Sequence, residues 1–211
     1  MKVVFAKNRI ALLILILIGF TATVFLVANR NATSGGTQAL QLEIPDSPWE
    51  PGFFESLEER TNAVGLPALR TVVLPEDDLE VRFWYEGLEI ISGVVIRRTG
   101  QEWSANWIYQ REDHLPSSAQ MVTLSPPRSG WDVAWKNLVN AGILTLPDSP
   151  RPQCPTEALD GIGYIVETNV NRKYRTFRYD NPQLMKCAEA KQMLQLQETI
   201  RQEFGLHNWK R

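Results

Sequence analysis

The sequence predicts an α+β domain behind an N-terminal transmembrane helix: a mainly antiparallel sheet with a mid-chain helix and a long C-terminal helix packed on it. Three observations carry this. Nineteen residues from Ile10 to Ala28 contain no charge. Several stretches after residue 79 alternate apolar and polar side chains with period two. Residues 129–142 and 181–205 instead repeat apolar positions at i, i+3, i+4 and i+7, the stripe of an amphipathic helix.

At 1.5 Å per residue the apolar run spans roughly 28 Å, the thickness of a bilayer's hydrocarbon core. It exceeds the usual h-region of a cleavable signal, and cleavage after Ala28 would put Leu26 where a small side chain is needed. No cysteine follows directly, so lipidation of a mature N-terminal Cys is ruled out. The run is expected to be a retained signal anchor in the cell membrane. Lys2, Lys7 and Arg9 precede it and only Arg30 closely follows, so residues 1–9 are placed in the cytoplasm and the domain outside, on the periplasmic side in a Gram-negative cell. Residues 29–51 ("NRNATSGGTQALQLEIPDSPWEP") are small, polar and proline-containing, and are expected to be a flexible tether. Residues 52–211 remain for one extracytoplasmic α+β domain, long enough to bury its own core.

A short helix is expected around Phe54–Arg60. After the acidic turn Glu76–Asp78, Val81, Phe83 and Tyr85 alternate with Arg82 and Trp84, which predicts a half-buried strand ended by Gly87. A hairpin follows. With its turn centred on Thr99 and Gly100, Arg97 faces Glu102, Ile96 faces Trp103, Val95 faces Ser104 and Val94 faces Ala105, opposite charges on one face and apolar partners on the other. "QMVTLSPP" supplies a further strand. In "SGWDVAWKNLVNAG", Trp131, Ala134, Trp135 and Leu138 form a core-facing stripe, with Ser129 as cap and Gly142 as stop.

The stretch 163–182, "GYIVETNVNRKYRTFRYDNP", predicts a second hairpin turning at Asn171 and Arg172. Val170 then pairs with Lys173, Asn169 with Tyr174, Thr168 with Arg175, Glu167 with Thr176, Val166 with Phe177, Ile165 with Arg178, and Tyr164 with Tyr179. One face collects Tyr164, Val166, Phe177 and Tyr179. On the polar face Lys173, Tyr174 and Arg178 are the candidate partner surface. The last helix is expected to start with Asn181 as cap and Pro182 at its first position, to bury Ala190, Met193, Leu196 or Gln197, Ile200 and Phe204, and to stop at Gly205.

Two cysteines in an extracytoplasmic protein predict a disulfide between Cys154 and Cys187, closing about thirty residues and contributing up to about 3–4 kcal/mol. The net charge of −2 gives no broad basic surface for nucleic acid. Residues 43–90 carry twelve acidic and three basic side chains, residues 91–211 twelve and fifteen. The simplest consequence is that the two parts lie against each other or are simply solvated; the sharper one is an acidic face offered to a basic partner or cation.

Catalytic chemistry is poorly represented. Asp113, His114, Ser117 and Ser118 have the side-chain types of a hydrolase triad but share one loop, whereas triad members converge from separate elements. His207 follows the last helix stop. Glu112, Asp113 and His114 are adjacent rather than spaced for a metal, and Glu76–Asp78 reads as a solvated turn. No cofactor motif is present, so no cofactor or metal is expected, and no catalytic residue is assigned. "WKNLVNAGILTLPD", "DGIGYIVE" and "YRTFRYDNP" together resemble uncharacterised bacterial envelope proteins, a resemblance over the last half of the chain that implies no activity. The sequence therefore points to an anchored module that binds an envelope protein or glycan. The alternatives are a hydrolase whose acidic pair is assembled from distant strands, and an accessory subunit of a membrane complex.

Overall fold

The computed structural model describes residues 39–44, 50–86, 91–109, 119–148, 154 and 161–206. The anchor run, the first part of the tether, the Asp113–Ser118 loop with Glu112, and His207 lie outside the described residues. Among those described, no helix is long and apolar enough to cross a membrane.

Seven strands form one mixed sheet in the order β1-β7-β6-β2-β3-β4-β5. They are β1 (Gln41–Glu43), β2 (Leu79–Glu86), β3 (Ile91–Thr99), β4 (Glu102–Tyr109), β5 (Gln120–Thr123), β6 (Gly163–Val170) and β7 (Lys173–Asp180). The helices are α1 (Glu50–Ala63), α2 (Trp131–Asn140) and α3 (Ala188–Glu203), with 3₁₀ turns at Leu69–Thr71 and Pro182–Leu184. Every strand pairing is antiparallel except β1 with β7. The α+β class and the two helices packed on the sheet are as expected. The stretch expected to be a tether is not wholly one: Gln41–Glu43 add a parallel strand, and α1 begins at Glu50.

The β6–β7 hairpin has the predicted register at every pair. Asn171 and Arg172 both take positive φ, 52° and 59°, as a two-residue type I′ turn requires, and Asn accepts that conformation readily. The β3–β4 hairpin is shifted. Thr99 pairs with Glu102, Arg98 with Trp103 and Ile96 with Ala105, so the turn residues are Gly100 and Gln101. Gly100 has φ +59° and takes the first turn position, where β-branched Thr99 would be strained. The two-residue shift keeps every side chain on its predicted face.

One face of the sheet packs against α2 and α3 through Val81, Phe83, Val94, Ile96, Val166 and Phe177, which meet Leu138, Met193, Leu196 and Ile200. α2 ends in a Schellman motif: Gly142 N–H bonds Val139 O and Ile143 N–H bonds Leu138 O, with Gly142 at φ +94°. Its N-cap is Gly130, not Ser129, whose hydroxyl is bonded to the Glu203 carboxylate instead. The C-terminal helix is also divided. Asn181 and Pro182 do stand as N-cap and first position, but of the Pro182–Leu184 3₁₀ turn: Asn181 lies in the left-handed region, its carbonyl accepts from Leu184 N–H, and its side-chain oxygen accepts from Ile162 N–H. α3 then starts afresh at Cys187, whose sulfur accepts from Ala190 N–H at 3.4 Å. Cys187 is bonded to Cys154 as predicted.

The second face of the sheet is covered as well. Phe53, Phe54 and Leu57 of α1, with Leu69, pack on Trp84, Val95, Ile108, Ile165 and Tyr174. β2 is therefore not half-buried: Leu79–Tyr85 are buried on both sides. Gly93 makes room for the Trp84 ring on this face.

Candidate functional site

Because β2 lies at the centre of the sheet and alternates strictly, Glu80, Arg82 and Trp84 all point toward α1. Arg82 stands opposite Glu167 of β6. Glu80 accepts from Arg82 Nε and from Arg97 Nε, each at 2.7 Å. Glu167 accepts from Trp84 Nε1 at 2.8 Å and from the Tyr174 hydroxyl at 2.9 Å. Arg82 is 0% exposed, Glu80 2% and Glu167 3%. Burial pushes the Glu167 carboxyl above its usual range, against the opposing pull of Arg82 and the two donors. Burial and the Glu167 charge likewise hold the Tyr174 phenol well above its ordinary value. Charges this deep cost several kcal/mol each unless paired. Among the described residues no acceptor reaches Arg82 Nη1 or Nη2.

Glu80 and Glu167 are thus two buried carboxylates on neighbouring strands, two positions apart in register. Their oxygens are occupied by internal donors and α1 lies over them. As folded, the oxygens of the pair meet only donors of the protein itself.

The predicted partner surface is dispersed. Tyr174 is fully buried and bonded to Glu167, so it presents nothing to a partner; the polar face of the hairpin is covered by α1, not by water. Lys173 is exposed but ion-paired with Glu43 of β1. Arg175 joins the same carboxylate at 2.8 Å, donates to Leu146 O and lies 4.9 Å from the Phe177 ring centre. Arg178 is held by Asp180 at 2.6 Å and Glu86 at 3.5 Å, and its N–H donates to Asp148. Lys173, Arg175 and Arg178 thus reach Glu43 and Glu86 of the acidic N-terminal part, as Arg97 reaches Glu80. The bonds from Lys173 and Arg175 hold the Glu43 carboxyl below its usual range.

The acidic turn is also used internally. Asp78 accepts from Gly100 N–H at 2.8 Å and the Asp77 carbonyl accepts from Arg98, so the turn fastens the β3–β4 hairpin. Among the described residues no group of three or more His, Cys, Asp or Glu is placed to hold a metal.

An open groove of about 340 Å³ runs between α2 and α3, lined by Asn137, Asn140, Gln195, Thr199 and Gln202. Glu203 closes one side, its carboxylate fixed by Ser129 N–H, the Ser129 hydroxyl and Asn137 Nδ2. The amides there offer donors and acceptors together and no net charge. Sequence reasoning missed this site, although a signal was present: Gln195, Thr199 and Gln202 repeat at i, i+4 and i+7, polar positions beside Glu198, which accepts from Gln202 Nε2 at 2.7 Å. Comparison with family models, with curated proteins and with solved structures finds no match to this chain.

Proposed function

We propose that the chain is a single-pass, membrane-anchored binding module, with its N-terminus in the cytoplasm and its domain outside. The uncharged run Ile10–Ala28 with its preceding cations supports the anchor, and the Cys154–Cys187 pair suits an oxidising compartment. The α2–α3 groove carries the binding reading. It combines open volume with exposed amides beside the held Glu203 carboxylate, whereas the Glu80 and Glu167 carboxylates are buried. Its uncharged donors and acceptors suit a hydroxyl- or amide-rich ligand, such as an envelope glycan or a peptide backbone.

The test is copurification of the full chain in mild detergent, with identification of the bound component. Asn140→Trp and Gln195→Trp, which fill the groove from either wall, should lose that component without lowering the melting temperature. Retention by both folded variants overturns the groove as the site. Release of a soluble protein starting near residue 29 from intact cells overturns the anchor.

A further inference from the structure

The α1 face of the sheet holds a second, chemically different place. A narrow cleft between α1, the Leu69–Thr71 turn and the sheet has apolar walls from Phe54, Leu57 and Ala68, and reaches Arg82 and Glu167 at its floor. Among the described residues Arg82 bonds through Nε, on Glu80, while Nη1 and Nη2 are buried and meet no acceptor. A guanidinium donor left unpaired in the interior costs more than an unpaired neutral donor. As folded, the cleft leaves no room for a water molecule to relieve it.

We propose that Arg82 is the floor of a binding site for one small aliphatic monocarboxylate, its two oxygens on Nη1 and Nη2 and its tail against Phe54, Leu57 and Ala68. A planar carboxylate matches the paired donors of a guanidinium. The mouth is the Arg70–Glu58 pair, bonded at 2.8 Å through Nε, with both side chains about one-third exposed. Entry of the ligand requires that pair to part and the cleft to widen from its closed form. This site is independent of the α2–α3 groove.

Charge decides how the ligand enters. Glu167 is faced by Glu80 and Arg82 of β2 and by Tyr174 of β7, and Glu58 and Arg70 line the same cleft. With Glu167 ionised, buried Arg82, Glu80 and Glu167 together with the partly exposed Arg97 carry no net charge, and an added anion would leave an uncompensated charge in the interior. With Glu167 protonated the set is +1 and the ligand restores neutrality. Burial already favours the proton on Glu167. Binding is therefore coupled to uptake of one proton, and affinity rises as pH falls, by up to about tenfold per unit, while the ligand stays ionised.

The experiment titrates butyrate, with inorganic phosphate and chloride as controls, into the full chain in detergent at pH 5.5 and pH 8, following heat and melting temperature. Butyrate alone should bind, more tightly at pH 5.5. Glu58→Gln, which loosens the mouth and frees Arg70, should strengthen binding; Glu167→Gln should abolish its pH dependence; Arg82→Lys should lose it. An equal response from folded Arg82→Lys, from phosphate or from chloride overturns the proposal. So does no response from both the parent and Glu58→Gln. Should Arg82→Lys fail to fold, Glu58→Gln and Glu167→Gln decide alone: unchanged affinity in the first, or unchanged pH dependence in the second, overturns it.

Discussion

Gly93 and Trp84 face each other across β2 and β3, and a Cβ on Gly93 would lie 2.4 Å from the indole ring. That ring cannot swing away cheaply, because its Nε1 is bonded to Glu167 and its faces are buried under α1. Gly93→Ala should therefore cost about 1–3 kcal/mol through overpacking. Urea denaturation measures it, and a midpoint equal to that of the parent would mean the ring does not rest on Gly93.

The β6–β7 hairpin separates core from rim. Phe177 is 1% exposed between Val166 and the helices, so Phe177→Ala should cost about 3–5 kcal/mol. Arg178 lies one residue on, on the opposite face, in ion pairs with a partly exposed side chain, and its truncation should cost about 0–1 kcal/mol. A register slipped by one residue would reverse the order, which thermal melting of the two variants reads directly.

How much of this was legible depended on whether the signal was local. Asn171 and Arg172 fix the second hairpin because the turn chemistry sits in the two residues themselves. At the first hairpin the same reasoning put Thr99 in the turn, although only Gly100 accepts the positive φ there. Burial of Arg82, Glu167 and Tyr174 had no local signal, since a strand's polar face looks the same whether water or a helix covers it. The cover is α1, whose contact with β6 and β7 spans more than a hundred residues of sequence. Three-residue β1 is too short to show a period, and only its pairing with Lys173–Arg175 makes it a strand.

β1 should be sensitive to acid. The folded Glu43 carboxyl is held below its ordinary value of 4.5 by Lys173 and Arg175, so its contribution is complete above that value and is lost as pH falls through the lower folded value. Glu43 is half exposed, which keeps the effect on global stability small. The local effect is clearer: hydrogen exchange of Gln41 N–H, bonded to Arg172 O at 2.9 Å, should quicken relative to the core in acid. In Glu43→Gln it should be quick at every pH. Protection independent of pH in the parent would show that Leu40 and Ile44, packed on the α1-side core, hold β1 without the ion pairs.

The disulfide joins one thoroughly buried residue to the start of a helix. Cys154 is 2% exposed in the α2–α3 core, Cys187 caps α3, and their Cα atoms are 5.4 Å apart, within the range a bridge needs. With a sequence separation of 33, the bridge restrains the unfolded chain by about 3–4 kcal/mol. Cys154→Ser should lose that restraint and leave a hydroxyl in an apolar cluster. Cys187→Ser should lose the restraint alone, because serine still offers an oxygen to Ala190 N–H. The first variant should therefore be the less stable, and reductant should lower the parent's melting temperature to about that of Cys187→Ser. Peptide mapping without reductant should recover the two cysteines linked. Two thiols that alkylate in the folded protein from its native compartment, with reductant leaving its melting temperature unchanged, would show that the domain folds without this bond.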